Sequence, residues 1–225
     1  MPTVTYRCAR VAGAGADLAL LDDTERLRAR RRADPASFVT AHALLRRLVG
    51  DHLCRDPREV RFARRCRTCG SDRHGKPVLA DLPRPPHLSL SYDGQWALAA
   101  LCEEAEIGVD IEGIAATSWD AFDRVLLADL ERPALAGLDG AQLTRARAIL
   151  LCRKEAILKA TGHGFSVEPV EVIVSAPEDS PELREWRSPR RGPAAIRVVD
   201  LTLGLSTHVA ALAVLTDAPV RAEPG

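Results

Sequence analysis

Three stretches in the first half of this 225-residue chain recur, in the same order, in the second. The strand-like run Thr3–Cys8 has a counterpart in Ile107–Glu112, and the helical run Ser37–Cys54 has one in Gln142–Thr161. The hairpin-like LSLSYDGQWALAAL (88–101) is matched by LTLGLSTHVAALAV (201–214); the three offsets are 104, about 105 and 113 residues. Single residues match poorly, so the repeat lies in the order of elements. That order predicts a duplicated α+β unit, with a ligand cleft at the interface between the copies. We expect an α+β fold of two pseudo-symmetric halves, 1–104 and 105–225.

Charge separates the halves. Residues 1–102 carry 18 Lys/Arg against 11 Asp/Glu, and residues 103–225 carry 13 against 20, although the whole chain is neutral. A basic half facing an acidic one suits an anionic ligand held beside a cation, and mutual attraction of the halves accounts for it equally. Packing falls to Ala, Leu and Val, because aromatic residues are only 4% of the chain. There is neither a run of 18 apolar residues nor a charged-then-apolar N-terminus, which leads us to expect a cytoplasmic protein without membrane association. The six cysteines (8, 54, 66, 69, 102 and 152) then read as thiols rather than disulfides.

Ile107-Gly-Val-Asp-Ile-Glu112 carries the chemistry. On a strand, Val109 and Ile111 face one side, while Asp110 and Glu112 face the other, about 7 Å apart. Two neighbouring carboxylates repel each other, and hard oxygens of this kind suit Mg²⁺, which takes one or two protein carboxylates and completes its shell with water and phosphate. An ordinary wet acidic strand face is the alternative. On the helix Gln142–Thr161, closed by Gly162, Glu155 and Lys159 are four apart and share a face. They form either an ion pair or a third metal carboxylate with a phosphate-directed lysine; spacing does not decide.

Other elements follow in order. Asp22–Arg32 is a capped helix with Arg26, Arg28, Arg30, Arg31 and Arg32 behind its start, either a solvated face or a phosphate grip. Cys66-Arg-Thr-Cys69 with His74 offers three Zn²⁺ ligands, but the second cysteine pair of a full finger is missing; a thiol-bearing turn before a strand is the alternative. Ser118–Leu130 is expected to be helical, Val170–Val174 a strand and Pro177–Pro193 a mobile excursion. Ile196–Leu205 with His208–Thr216 should close the fold as a hairpin before a frayed end.

IGVDIE followed by RKEAILKATG closely resembles the 4′-phosphopantetheinyl transferases of the Sfp type, whose signatures are G-[IV]-D-[IV]-E and W-x-x-K-E-x-x-x-K. HGKPVL and LSLSYDG resemble two further segments of that family, and the arginine helix with AHALLR resembles its N-terminal region. The resemblance implies transfer of 4′-phosphopantetheine from coenzyme A to a serine of an apo acyl or peptidyl carrier protein, as in polyketide or nonribosomal peptide assembly, with release of 3′,5′-ADP. It implies Mg²⁺ on Asp110, Glu112 and Glu155, with Glu155 or a water it orients as base. Lys159 would meet the departing pyrophosphate oxygens and Lys154 another phosphate oxygen of coenzyme A. Lys76 and Ser91 fall on the adenine and 3′-phosphate side, with Arg26 and Arg30 as looser phosphate contacts. Residues 1–104 would thus hold the nucleotide and 105–225 the metal and the catalytic helix.

Three positions depart from the family pattern. Tyr92 stands where it has histidine, Leu151 where it has tryptophan, and Ser37 where it has a basic residue. Tyr92 and Ser37 lie on the 3′-phosphate side, so weaker selection against dephospho-coenzyme A is expected. A catalytically silent coenzyme A- or carrier-protein-binding member is the main rival. Another Mg²⁺-dependent hydrolase lacks a glycine-rich phosphate loop here, and a nucleic-acid module is opposed by the acidic second half. A chain carrying both copies has no need to oligomerise, so we expect a monomer.

Overall fold

In the computed structural model, residues 1–12, 15–65, 70–72 and 75–225 are described. Cys66, Cys69 and His74, the zinc candidates, lie outside the described residues. Among the described residues, the α-helices are α1 (Gly15–Leu18), α2 (Asp23–Ala29), α3 (Pro35–Leu53), α4 (Phe122–Leu126) and α5 (Gly140–Thr161). The strands of the first half are β1 (Thr3–Arg10), β2 (Phe62–Arg65), β3 (Lys76–Leu79), β4 (His87–Asp93) and β5 (Trp96–Cys102). Those of the second are β6 (Ile107–Gly113), β7 (Val172–Val174), β8 (Leu183–Trp186), β9 (Arg197–Asp200), β10 (His208–Val214) and β11 (Arg221–Pro224).

The two large sheets share one strand plan. In the first the order is β11-β1-β5-β4, and in the second β6-β10-β9; each half places its first strand antiparallel to the second strand of its final hairpin. Period-two alternation builds the layers. On β5, Leu98, Ala100 and Cys102 pack against Ile107, Val109 and Ile111 of β6, whereas Ala97, Ala99 and Leu101 pack under α3 with Leu44, Leu45 and Leu48. On β10, Ala210 and Leu212 join the inter-sheet core, whereas Ala211 and Ala213 lie under α5 with Ala156 and Ala160. The result is helix, sheet, sheet, helix. Because β5 is covered on both faces, it reads as an unbroken apolar run.

Each core helix buries an arginine. Arg46 on α3 donates to Glu25, Asp22 and the carbonyls of Pro57 and Val60. Arg153 on α5 donates to Asp200 and to the carbonyls of Ser175, Ala176, Pro177 and Asp179. These forks tie the loops of each half to its helix. α3 starts with Pro35 behind Asp34, whose side chain caps the Ser37 N–H.

Three sequence expectations are corrected. The expected helix Ser118–Leu130 shrinks to α4, because Leu127 is extended and Glu131 turns inward to accept from the Ala128 and Val174 N–H groups. Within Pro177–Pro193, β8 pairs antiparallel with β7, and Arg153 fixes the turn before it. The C-terminus is not frayed: β11 lies parallel to β1, from Thr3 against Arg221 to Tyr6 against Pro224. Among the described residues, no helix is long and apolar enough to cross a membrane.

Candidate active site

The two halves meet where β4 runs alongside β6, and there side chains replace a backbone ladder. Ser89, Ser91 and Asp93 alternate with Leu88, Leu90 and Tyr92, so the polar set faces β6. Ser89 Oγ accepts from the Val109 N–H at 2.9 Å, Ser91 Oγ donates to Asp110 Oδ1 at 2.7 Å, and Asp93 accepts from the Gly113 N–H. On the other side α5 crosses β6 at Gly108, backbone against backbone. Asp110 is therefore held between β4 and α5, only 2% exposed.

Lys159 reaches it from α5: its Nζ donates to Asp110 Oδ1 at 2.6 Å and to Ser91 Oγ at 2.8 Å. Among the described residues, Asp110 Oδ2 is buried without a hydrogen-bond partner. Burial alone would push the Lys159 ammonium towards neutrality, but the Asp110 carboxylate more than offsets this and holds the proton on. Glu112 is pushed up to about 9, first by burial and then by the charges of Asp110 and Asp93. Glu155 is also raised, by burial and by Asp110. Beneath them the buried Cys152 thiol is kept protonated by burial and by Asp110 and Glu112.

Asp110, Glu112, Glu155 and Lys159 are thus brought within electrostatic reach of one another. Among the described residues, no group of three or more His, Cys, Asp or Glu is gathered as a preformed metal cluster. The carboxylates nonetheless fit a hard cation: among the described residues one buried oxygen has no partner, and burial together with repulsion from Asp110 raises two neighbouring acids, a repulsion that a divalent charge would relieve. One or two direct carboxylate bonds suffice for Mg²⁺.

Next to this cluster opens a cavity of about 590 Å³. Its wall carries six cationic side chains (Arg28, Arg31, Arg32, Arg64, Lys76 and Lys159) and no carboxylate among the described residues. Lys159 belongs to both places. Lys76 Nζ is tied to Glu106 at 2.7 Å and to the Ile107 carbonyl at 2.7 Å, which fixes it at the start of β6. Tyr92 lines the cavity and meets the Phe38 ring edge-on, with centroids 6.3 Å apart.

Residues 106–213 match the description of the 4′-phosphopantetheinyl transferase superfamily. A Synechocystis sp. (strain ATCC 27184 / PCC 6803 / Kazusa) protein, named provisionally as a 4′-phosphopantetheinyl transferase, is 32% identical over 181 residues, which span 75% of this chain and 71% of that protein. The chain belongs to the 4′-phosphopantetheinyl transferase superfamily. A solved holo-(acyl-carrier-protein) synthase from Bacillus anthracis str. Ames, in complex with coenzyme A (3′,5′-ADP), is 25% identical over 49% of this chain and 95% of its own, with a TM-score of 0.42.

For this 4′-phosphopantetheinyl transferase family member, several expected site residues stand elsewhere. Lys154 is fully buried and donates to Glu131 and to the carbonyls of Leu126 and Pro169. Five positions before Lys159, it is rotated about 140° around the helix and points away from the cavity. Arg26 folds back on the Leu18 carbonyl and Asp23, and Arg30 is exposed; neither lines the cavity. Arg28, at the end of α2, and Arg31 and Arg32, in the turn that follows it, line it instead; the expected helix Asp22–Arg32 ends at Ala29. Ser91 bonds to Asp110 and Lys159, whereas Ser89 lines the cavity. Ser37 is buried against Asp34 and the Gly94 carbonyl, so its departure from the family pattern is a capping feature. His42, which lies within AHALLR, carries no assigned role in the sequence, and Arg64 belongs to none of its motifs; both stand in the cavity wall.

Proposed function

We propose that this protein transfers the 4′-phosphopantetheine group of coenzyme A to a serine of an apo acyl or peptidyl carrier protein and releases 3′,5′-ADP, as an Sfp-type enzyme. The observation that carries this reading is Lys159, which lines a cationic cavity and is anchored on the buried Asp110 carboxylate. The cavity takes the anionic nucleotide part of coenzyme A. Its arginines, together with Lys76 and Tyr92, bind phosphate and orient it towards Lys159. In this reading residues 1–104 serve the nucleotide and 105–225 the chemistry.

The reaction makes a bond from the serine oxygen to the β-phosphorus and breaks the bond from that phosphorus to the oxygen leaving with 3′,5′-ADP. Negative charge grows on the leaving and nonbridging oxygens, and the Lys159 ammonium faces that charge. Glu155, or a water that it orients, takes the serine proton. Asp110 and Glu112, with Glu155, would hold Mg²⁺, which supplies a Lewis acid for the pyrophosphate oxygens. Ser91 keeps Asp110 and Lys159 in register across the two halves. We read the protein as cytoplasmic and, because both halves of the cleft lie in one chain, as a monomer.

Mass spectrometry of an apo carrier protein after incubation with this protein, coenzyme A and Mg²⁺ tests the reading. A mass gain of one phosphopantetheine per carrier serine is expected. Tight binding of coenzyme A without any gain across acyl and peptidyl carriers would favour the catalytically silent alternative.

A further inference from the structure

Arg64 and His42 are the two cavity residues whose pairing is unusual. Arg64 donates to the Gly75 carbonyl at 2.9 Å, and its other terminal nitrogen lies 2.8 Å from His42 Nε2. Among the described residues no carboxylate is within ion-pair distance of this guanidinium. Burial, with Arg28 nearby, lowers its pKa to about 10. A half-buried cation whose described partners are neutral acceptors keeps its charge available to an incoming anion, whereas a carboxylate partner would quench it.

The imidazole has one hydrogen-bonding solution. Its Nδ1 is 2.9 Å from the Phe38 carbonyl, which only accepts, so Nδ1 carries the hydrogen. Its Nε2 faces a guanidinium, which only donates, so Nε2 carries the lone pair. Stacking on Phe38, with centroids 3.8 Å apart and planes at 22°, fixes the ring plane. Arg28 from α2, Arg46 from α3 and Arg64 from β2 all oppose a charge on the ring, and burial opposes it most.

We propose that His42 is a positioning residue: as a neutral Nδ1–H imidazole it holds Arg64 in the cavity wall, ready for a phosphate of the ligand. This rests on the reading that the cavity takes the phosphates of coenzyme A. A hydrogen bond to a charged group governs about tenfold in affinity when its acceptor is removed. His42→Phe keeps the stack and removes the lone pair; His42→Gln returns an acceptor oxygen at the reach of Nε2.

Calorimetric titration with coenzyme A and with 3′,5′-ADP tests this on wild type, on both His42 variants, on Arg64→Met and on the double variant His42→Phe/Arg64→Met, with melting temperatures alongside. We expect His42→Phe to weaken both ligands about tenfold and His42→Gln to stay within about threefold of wild type. In the Arg64→Met background His42→Phe should add less than about twofold, because its partner is gone. Wild-type affinity in His42→Phe, or full multiplication of the two losses in the double variant, would overturn the proposal. If wild type binds neither ligand, the functional reading fails and ¹⁵N spectra of the unliganded protein still decide the role of His42. A hydrogen on Nε2, or an imidazolium at pH 6, would overturn it; a neutral Nδ1–H ring supports it.

Discussion

Gly108 has no room for a side chain, because α5 lies directly on it: a Cβ there would sit 2.1 Å from the Ala156 carbonyl oxygen and 2.4 Å from the Ala160 nitrogen. Both obstacles are helix backbone, which cannot rotate aside. This contact sets how far Lys159 and Glu155 stand from Asp110 and Glu112, so the glycine of the motif belongs to the site by spacing the elements that carry it.

Gly108→Ala should therefore lift α5 from β6. Overpacking of this kind costs about 1–3 kcal/mol, and more where backbone must move. Urea denaturation should show the midpoint falling by a corresponding amount, with transfer activity lost in the fraction that remains folded. An unchanged midpoint with full activity would mean that the helix slides without disturbing the carboxylates.

The acidic cluster predicts a stability that falls on the alkaline side. An ordinary glutamate releases its proton near 4.5, whereas Glu112 retains it to about 9 in the fold, and Glu155 is shifted in the same direction. Between those values the folded state binds a proton that the unfolded chain has released. The stabilising contribution is complete below pH 4.5 and is lost as pH rises through 9. Metal-free protein should thus melt at a lower temperature at pH 9 than at pH 6, and Glu112→Gln should flatten that slope. Saturating Mg²⁺ should raise the melting temperature most at pH 9, since the cation binds the ionised carboxylates. A pH-independent melting temperature in wild type would show that these acids are solvated like ordinary ones.

Lys159 and Lys154 separate cleanly by experiment. Lys159→Ala should reduce kcat about a hundredfold with a much smaller change in the KM for coenzyme A, because the charge it meets grows in the transition state. Lys154→Met should leave that KM within about twofold, its ammonium being spent on Glu131. Glu131→Gln, by contrast, strands a buried lysine and should cost about 3–5 kcal/mol of stability. A larger effect on coenzyme A binding from Lys154→Met than from Lys159→Ala would reverse the assignment.

The sequence patterns that proved readable were those with a local physical cause. Alternation in IGVDIE put Asp110 and Glu112 on one face, and the period of Gln142–Thr161 with Gly162 in the left-handed conformation gave α5 almost to the residue. Element order gave the shared strand plan of the two halves. What could not be read was which face of a helix meets the sheet. Lys154 and Lys159 look alike in a motif, and Arg26 looks like Arg28, until packing assigns one of each to the cavity. The β1–β11 pairing joins chain ends over 200 residues apart, from Thr3 to Arg221, through a polar segment containing proline, and leaves no periodic trace. His42 sits inside a helical pattern where a histidine reads as filler; its role appears only when β2 brings Arg64 to it.

Tyr92 offers the sharpest test of where the nucleotide lies. A phenol gives a phosphate oxygen one hydrogen bond and no charge at neutral pH. A histidine at this position would line a cavity that already holds Arg28, Arg32 and Arg64, so in the empty protein it stays neutral. A bound phosphate dianion reverses the local field and draws a proton onto the ring, which adds a charge-assisted bond on the order of 1 kcal/mol, or about five- to tenfold in affinity. Tyr92→His should consequently bind coenzyme A more tightly relative to dephospho-coenzyme A than wild type does, and more so at pH 6 than at pH 8. Calorimetry at pH 6 should also register proton uptake on binding, visible as a dependence of the heat on buffer ionisation enthalpy. Equal preference for coenzyme A in variant and wild type, without proton uptake, would place the 3′-phosphate away from β4 and against Arg28, Arg31 and Arg32 alone.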